Sequence, residues 1–177
     1  VPPFKSYLCP RTINFIMTSP KFEALGIEEG LLQSIKVLGF TDPTPIQEKA
    51  IPVLLQGTRD FIGLAQTGTG KTAAFGLPLL QLIDKEQRYP QALIICPTRE
   101  LCLQITSDLE KFKNKAERLS VTAVYGGASI GEQIRGLKKG THIIVATPGR
   151  LIDLIERKAV NLEQVEYIVL DEADEML

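Results

Sequence analysis

The residues that could most plainly do chemistry lie in the loop Ala65–Thr72, of sequence AQTGTGKT. Gly68 and Gly70 allow the backbone to curl with its N–H groups pointing inward. Those amides, with the start of a following helix, would bind phosphate oxygens. Lys71 would add a positive charge for the β- and γ-phosphates, and the Thr72 hydroxyl a magnesium ligand. The loop starts with Ala where the strict phosphate-loop pattern has Gly, yet the Lys-Thr pair favours a phosphate site over a purely structural turn.

A second chemical cluster is the acidic segment Asp171–Asp174, which follows the apolar run Tyr167–Leu170. An acid at the end of a buried strand beside a phosphate loop is where a magnesium-binding carboxylate belongs. We assign that role to Asp171, acting largely through ordered water, and expect Glu172 to orient or deprotonate an attacking water. On its own such a cluster is usually a solvated turn, so the prediction depends on its convergence with the loop.

The elements that must position these residues are apolar runs alternating with amphipathic helices. Strands that are apolar on both faces predict a parallel sheet covered by helices on both sides. The predicted strands are Phe61–Ala65, Ala92–Cys96, Val121–Tyr125, His142–Ala146 and Tyr167–Leu170. Ligands bind such sheets beyond the carboxyl ends of the strands. The polar clusters follow those ends, at Gln66–Thr72, Pro97–Glu100, Gly126-Gly127, Thr147–Arg150 and Asp171–Asp174.

The bulk composition of the 177 residues is that of one globular domain. A net charge of −1 excludes a general basic field, so a polyanion would have to be held by local geometry. The three cysteines form no C-x-x-C pair, which favours free thiols and a cytoplasmic location. Residues 1–16 show no period and are expected to be a disordered or non-native segment before a domain at 17–177. The single histidine, His142, is interpreted as structural.

From about Phe22 to Leu177 the sequence resembles the first RecA-like domain of a DEAD-box RNA helicase. The resemblance rests on six motifs in the family's order: Gly39–Gln47, Ala65–Thr72, Pro97–Leu101, Gly126-Gly127, Thr147–Arg150 and Asp171–Asp174. It implies a three-layer α/β/α P-loop domain with a mostly parallel sheet. It also implies ATP and Mg²⁺ as cofactors, RNA as partner, no membrane, and ATP hydrolysis coupled to RNA unwinding or remodelling.

The resemblance adds an adenine site to the phosphate loop. Gln47 would read the adenine edge through paired hydrogen bonds, Phe40 would stack on the base, and Phe22 would support this segment. From chemistry alone, Gln47 could cap a helix and Phe40 could belong to the core. The expected ATP-binding set is Phe22, Phe40, Gln47, Gln66, Thr67, Gly68, Thr69, Gly70, Lys71 and Thr72. Lys71, Asp171 and Glu172 are expected to be catalytic, with Thr72 and Asp171 at the metal.

Two predicted helix starts, at Pro97-Thr98-Arg99 and at Thr147–Arg150, present free N–H groups, hydroxyls and arginines, and Gly126-Gly127 permits close backbone approach. Together they suit a sugar–phosphate backbone better than base edges. By resemblance these residues hold one RNA strand without reading its sequence. The expected set is Pro97, Thr98, Arg99, Gly126, Gly127, Thr147, Pro148, Gly149 and Arg150. The residues alone do not separate RNA from DNA, and arginines in first turns are often ordinary surface residues.

In the family, a Ser-Ala-Thr strand and a second RecA-like domain with γ-phosphate arginines follow the acidic motif. The resemblance therefore implies a domain incomplete at its C-terminus, belonging to a longer protein. An arginine finger is worth about 10³–10⁵ in rate, so negligible ATP hydrolysis is expected from these residues alone. Two alternatives stay open: another P-loop enzyme such as a DNA translocase, and an RNA clamp switched by ATP without sustained unwinding.

Overall fold

The structure is a computed structural model that describes residues 22–66, 68–113 and 118–176. The expectations for residues 1–16, for Cys9 and for Thr67 lie outside these ranges. Cys96 and Cys102 are buried and free, as the cysteine spacing predicts. None of the helices within the described ranges combines the length and the apolar character that crossing a membrane requires.

Four strands form one parallel sheet in the described part of the chain. They are β1 (Ala92–Ile95), β2 (Val121–Val124), β3 (Ile143–Ala146) and β4 (Tyr167–Leu170), in the spatial order β2-β3-β1-β4. Their register is regular, with Ile94 opposite both Val145 and Val169. All four carboxyl ends therefore lie along one edge of the sheet, which confirms the predicted arrangement.

Within the described residues, six α-helices flank the strands, and their boundaries follow local signals. Pro45 and Pro148 occupy the first turns of their helices, where a missing N–H costs nothing. The hydroxyl oxygen of Thr98 accepts a hydrogen bond from the Leu101 N–H at 3.2 Å and so caps a third helix. The helices are α1 (Glu29–Val37), α2 (Pro45–Gln56), α3 (Lys71–Leu82), α4 (Arg99–Phe112), α5 (Ile130–Lys138) and α6 (Pro148–Glu156), with short 3-10 turns at Phe22–Leu25 and Ala173–Met176.

The sheet separates two hydrophobic clusters because successive side chains of a strand point to opposite faces. On one face Ile94 and Val145 belong to a cluster with residues of α1, α3 and α4. On the other, Leu93 and Ile144 pack in a cluster with residues of α6 and, at its margin, α5. Each fully buried aliphatic side chain contributes about 1.5–3 kcal/mol. The result is the expected three-layer α/β/α architecture.

The strand predicted at Phe61–Ala65 is wrong for the described structure. This run is irregular, and Ile62 and Leu64 are 90% and 94% exposed. None of the four described strands pairs with it. Apolar composition alone does not make a strand, because its backbone groups need a neighbour to bond. Strand β4 pairs only with β1 among the described strands, and its Ile168 and Leu170 are likewise exposed.

His142 lies buried at the opposite, amino-terminal end of β3. Its Nδ1 accepts a hydrogen bond from the Ser120 N–H at 3.0 Å. Burial, more than any other cause, lowers the pKa of His142 below its usual value. A backbone hydrogen bond with Lys85 and the charge of Asp84 raise the pKa, while the charges of Arg88 and Lys113 lower it. These contacts support the structural role predicted for this histidine.

The fold is therefore expected to lose stability through His142 as the pH falls below about 6.5, the ordinary pKa of histidine. Below that pH the unfolded chain binds a proton that the folded chain, with its lowered pKa, does not. His142→Asn keeps an acceptor for the Ser120 N–H and removes the titration. Urea unfolding at several pH values should show a shallower pH dependence for the variant between about pH 7 and 5. Parallel curves for the two proteins would contradict this assignment.

Candidate functional site

The phosphate loop leads directly into α3, which begins at Lys71. Gly68 and Gly70 have φ values of +80° and +86°, in the left-handed region that glycine adopts readily. The Thr69 hydroxyl donates to the Gln66 carbonyl at 2.7 Å and closes the turn. The loop therefore opens a helix whose first N–H groups have no partner within the helix.

The phosphate loop and the acidic segment meet. The Nζ atom of Lys71 lies 3.9 Å from Oδ1 of Asp171. Asp171 directly follows β4, and its N–H donates to the Ile95 carbonyl at 2.9 Å, which continues the pairing of β4 with β1. The predicted convergence of the lysine and the first carboxylate is thereby confirmed.

Asp171 is a buried carboxylate whose charge is only partly compensated. Burial raises its pKa above the usual value, the charge of Lys71 opposes that rise, and the charge of Glu172 adds to it. The described residues contain no cluster of three or more His, Cys, Asp or Glu side chains that could hold a metal. Magnesium needs no such cluster, because it typically uses one or two carboxylates with water and substrate phosphates. The oxygens of Asp171 and Thr72 therefore fit magnesium.

Because burial disfavours the Asp171 carboxylate, Asp171→Asn is expected to stabilise the ligand-free fold at neutral pH. The gain should be on the order of 1 kcal/mol, or a few degrees in the thermal midpoint. Thermal unfolding without nucleotide or Mg²⁺ measures it. Asp174→Asn changes an exposed acid of the same segment and should leave the midpoint in place. A lower midpoint for Asp171→Asn would show that its charge stabilises the fold.

Glu172 has an unusual backbone for a residue with a side chain. Its φ is +53°, in the left-handed region, and its carbonyl accepts from the Glu175 N–H at 3.0 Å. Such a conformation costs on the order of 1 kcal/mol and is often found at functional sites. The turn makes the chain leave the line of β4 immediately after Asp171.

Gln47 connects the start of α2 with the phosphate loop. Its Oε1 accepts from the Thr44 N–H at 2.8 Å, and its Nε2 donates to the Gly70 carbonyl at 3.1 Å. The residue is only 1% exposed. A side chain at position 70 would overlap the Gln47 amide, so that position needs glycine for space as well as for φ. The helix-capping alternative thus describes the contacts of Gln47, since both ends of its amide are bound within the protein.

The two aromatic residues predicted near adenine lie against the core. Phe22 is buried, and its ring centroid lies 6.1 Å from that of Phe40. The half-buried Phe40 also meets Phe112 edge-on at 5.7 Å. Phe22 therefore supports the segment that carries Phe40, as expected. A stacking role for Phe40 stays a prediction.

The expected nucleic-acid residues at the ends of β1 and β2 come together. The exposed Arg99 lies over the ring of Tyr125, with Cζ 5.0 Å from the ring centroid. Its Nη1 also lies close to Gly127, at 3.2 Å from where a side-chain Cβ at that position would stand. Gly127 has a φ of +80°, so glycine is needed there for the backbone as well. Pro97 is half-buried and Thr98 and Gly126 are exposed beside this pair of segments.

Arg150, at the end of β3, is placed differently from the sequence expectation. Its Nη1 and Nη2 donate to the Ala128 carbonyl at 3.2 and 3.3 Å, and Nη1 also donates to Oε1 of Gln133 at 3.0 Å. The side chain is 13% exposed. Its guanidinium therefore bonds within the protein rather than presenting a free charge. In the same turn Thr147 and Pro148 are half-buried and Gly149 is exposed.

Sequence reasoning missed Tyr125 and Gln133, which hold the two arginines. Gln133 left a signal, because it lies on the same helical face of α5 as Ile130, Ile134 and Leu137. A polar residue within an apolar face of a helix indicates a buried hydrogen-bonding partner. Tyr125 left no comparable signal, since an aromatic residue at a strand end is ordinary.

Comparison with known proteins agrees with this geometry. A family model described as DEAD/DEAH box helicase matches residues 44–177. The DEAD-box ATP-dependent RNA helicase CshA of Bacillus cereus is 54% identical over 156 residues, which cover 88% of this chain and 29% of that protein. The ATP-dependent RNA helicase CshA of Listeria monocytogenes is 53% identical over 157 residues, 89% of this chain and 30% of that protein.

A solved structure shares the fold. The crystal structure of a DEAD box protein from the hyperthermophile Methanococcus jannaschii superposes with a TM-score of 0.84 at 41% identity, over 88% of this chain and 42% of that one. This match confirms the α/β RecA-like class. The chain spans only 29% and 30% of the two CshA relatives. Since the family model covers most of the sequence and includes both the phosphate loop and the acidic segment, the chain belongs to the DEAD/DEAH box helicase family.

Proposed function

We propose that this chain is the ATP-binding part of an ATP-dependent RNA helicase. The observation that carries the proposal is the approach of Lys71 to Asp171, 3.9 Å apart at the carboxyl edge of a parallel sheet. A lysine at the start of α3 and a buried carboxylate after β4 together suit a metal-bound triphosphate better than either would alone. Family membership and the names of the relatives supply the RNA substrate class.

The phosphate site would use the loop and the acids in distinct roles. Backbone amides of residues 66–72 and the Lys71 ammonium would bind the β- and γ-phosphates. Thr72 and Asp171 would hold Mg²⁺, which when bound would neutralise charge that develops on phosphate oxygens. Glu172 would accept a proton from the attacking water or orient it. The charge of Lys71 also lowers the pKa of Asp171 and so compensates part of the carboxylate's charge.

Adenine recognition would use the remaining hydrogen-bonding capacity of the Gln47 amide. Its Oε1 accepts from Thr44 and its Nε2 donates to Gly70, and the second lone pair and the second N–H of the amide could pair with the edge of a base. The half-buried ring of Phe40 would stack on the base, and the contact with Phe22 would keep the Phe40 ring in place. Adenine binding and the conformation of the phosphate loop would then be linked through the Gly70 carbonyl.

The RNA backbone would lie along the ends of β1, β2 and β3. Arg99 supports this role best, because it is exposed and held over Tyr125. The backbone N–H groups of Gly126, Gly127 and Gly149, with the hydroxyls of Thr98 and Thr147, would add contacts that carry no sequence information. Arg150 would mainly hold neighbouring segments of the surface in place, since its guanidinium is already bonded to Ala128 and Gln133.

Isothermal titration of the chain with ATP, in Mg²⁺ and in EDTA, tests the nucleotide site. Magnesium-dependent ATP binding that GTP matches poorly is the expected result. Binding that is insensitive to EDTA, or equal for the two nucleotides, would contradict the metal or the adenine assignment respectively.

The activity of the whole protein needs a separate experiment. In the protein that includes the second RecA-like domain found in the family, RNA-stimulated hydrolysis with duplex separation would support a helicase. Nucleotide-dependent RNA retention without strand separation would instead support the clamp. The 177-residue chain alone should hydrolyse ATP negligibly.

A cytoplasmic location stays a prediction from the cysteine pattern of the sequence.

A further inference from the structure

Gln133 is a buried amide with both of its ends bound. It is 8% exposed on the inner side of α5. Its Nε2 donates to the Tyr125 carbonyl at 3.0 Å, and its Oε1 accepts from Nη1 of Arg150 at 3.0 Å. Leaving a buried amide unbonded costs on the order of 1–3 kcal/mol, so these bonds strongly constrain the segments they join.

Arg150 makes the second half of the same connection. Through its bonds to the Ala128 carbonyl it ties the first turn of α6 to the segment after β2. Its Nε lies 3.9 Å from Oδ2 of Asp153, one turn further along α6. The guanidinium therefore has partners on both sides, and the strand-end segment 125–128 is held by Gln133 at its start and by Arg150 at its end.

That segment in turn supports the exposed cation. Tyr125 lies beneath the Arg99 guanidinium, and Gly127 lies beside it. The Gln133–Arg150 pair thus fixes the relative placement of three strand ends, those of β1, β2 and β3. In the described sheet β1 and β2 are not neighbours, because β3 lies between them. This side-chain connection therefore adds to the indirect link that β3 provides between their ends.

We infer that Gln133 is a positioning residue of the nucleic-acid surface, which acts through Arg150 and the segment 125–128 to hold Arg99 in place for a phosphate backbone. The inference rests on the proposed RNA function for its effect on binding. Its structural part, the restraint of segment 125–128 by Gln133, stands independently of any RNA. Arg99 supplies the phosphate charge in this arrangement, and Gln133 touches no ligand.

Two measurements on the full chain test the inference. The first is backbone ¹⁵N relaxation without ligand, whose order parameters report the restraint on residues 126–129. The second is the affinity for a fluorescent short oligouridylate over a range of salt concentrations. Gln133→Met removes both hydrogen bonds at similar side-chain size, Gln133→Glu keeps an acceptor for Arg150, and Gln164→Met is a matched control at an exposed position before β4.

Gln133→Met should lower the order parameters of residues 126–129 while those of β1 and β3 stay high. It should weaken RNA binding roughly tenfold with an unchanged salt slope, because no phosphate contact is lost. Arg99→Ala should instead lower the slope by about one. In both measurements, Gln133→Glu should give values between those of Gln133→Met and those of the unmutated chain. Gln164→Met should give the values of the unmutated chain.

Unchanged order parameters at residues 126–129 in Gln133→Met would overturn the inference. A salt slope lowered by about one would also overturn it, because it would mean that Gln133 itself meets phosphate. Unchanged RNA affinity with lowered order parameters would overturn the positioning role. If the unmutated chain binds no oligouridylate although the order parameters respond to Gln133→Met, the RNA proposal fails and the restraint by Gln133 is upheld.

Discussion

Lys71→Ala is expected to weaken binding of Mg²⁺–ATP by a factor between roughly 30 and several thousand. This is the range for truncating one partner of a buried charge pair. The variant loses the ammonium that would meet the β- and γ-phosphates. It also removes the positive charge that lowers the pKa of Asp171. The phosphate site would then keep a buried carboxylate without its cation, which further disfavours an anionic ligand. Isothermal titration with ATP in Mg²⁺ gives the change in dissociation constant.

Lys138→Ala is the matched control for this prediction, because it removes an exposed lysine at the end of α5. It should leave ATP affinity unchanged. Thermal unfolding of both variants separates loss of the site from loss of the fold. A dissociation constant within about threefold of the unmutated value for a folded Lys71→Ala protein would rule out the assigned phosphate contact.

Glu172→Gln is expected to slow ATP hydrolysis by roughly 10²–10⁴ while ATP affinity changes little, because general base catalysis contributes about that factor. Glutamine keeps the size of the side chain and can still hydrogen-bond a water, but it cannot take the proton. The backbone at this position, with its φ of +53°, should be as strained in the variant as before. Single-turnover hydrolysis in the whole protein with RNA measures the chemical step, since the chain alone is expected to be nearly inactive.

Glu175→Gln removes an exposed carboxylate three residues further along the chain and serves as the control. Its hydrolysis rate should equal that of the unmutated protein. Equal loss in both variants would indicate a general effect of negative charge near the site. A Glu172→Gln protein that hydrolyses ATP at the normal rate would assign the base to another group.

The layered architecture was predictable from short local patterns in the sequence. Runs such as Ala92–Ile95 and Ile143–Ala146 are apolar at every position, which is typical of strands in a parallel sheet that is covered on both faces. Once the strands are parallel, their carboxyl ends must share one edge, and the residues that follow them must be neighbours. The approach of Lys71 to Asp171 follows from that rule, although 100 positions of sequence separate them.

Whether an apolar run forms a strand could not be predicted from the sequence where it depends on a neighbouring segment. The run Phe61–Ala65 has strand composition, but its backbone finds no neighbour among the described strands and stays irregular. Its apolar residues could not reveal this, because strand formation depends on hydrogen bonds to a segment elsewhere in the chain.

By itself, then, the sequence determined the layered parallel fold, the family, and the convergence of the phosphate loop with the acids. Only the tertiary structure decided how the polar side chains are used. It binds both ends of the Gln47 amide at the start of α2, and it turns Arg150 inward to Ala128 and Gln133 while Arg99 stays exposed over Tyr125. The physical reason is that residue type and spacing give the direction of the backbone, whereas a long polar side chain bonds whichever partner the packed elements bring within about 3 Å.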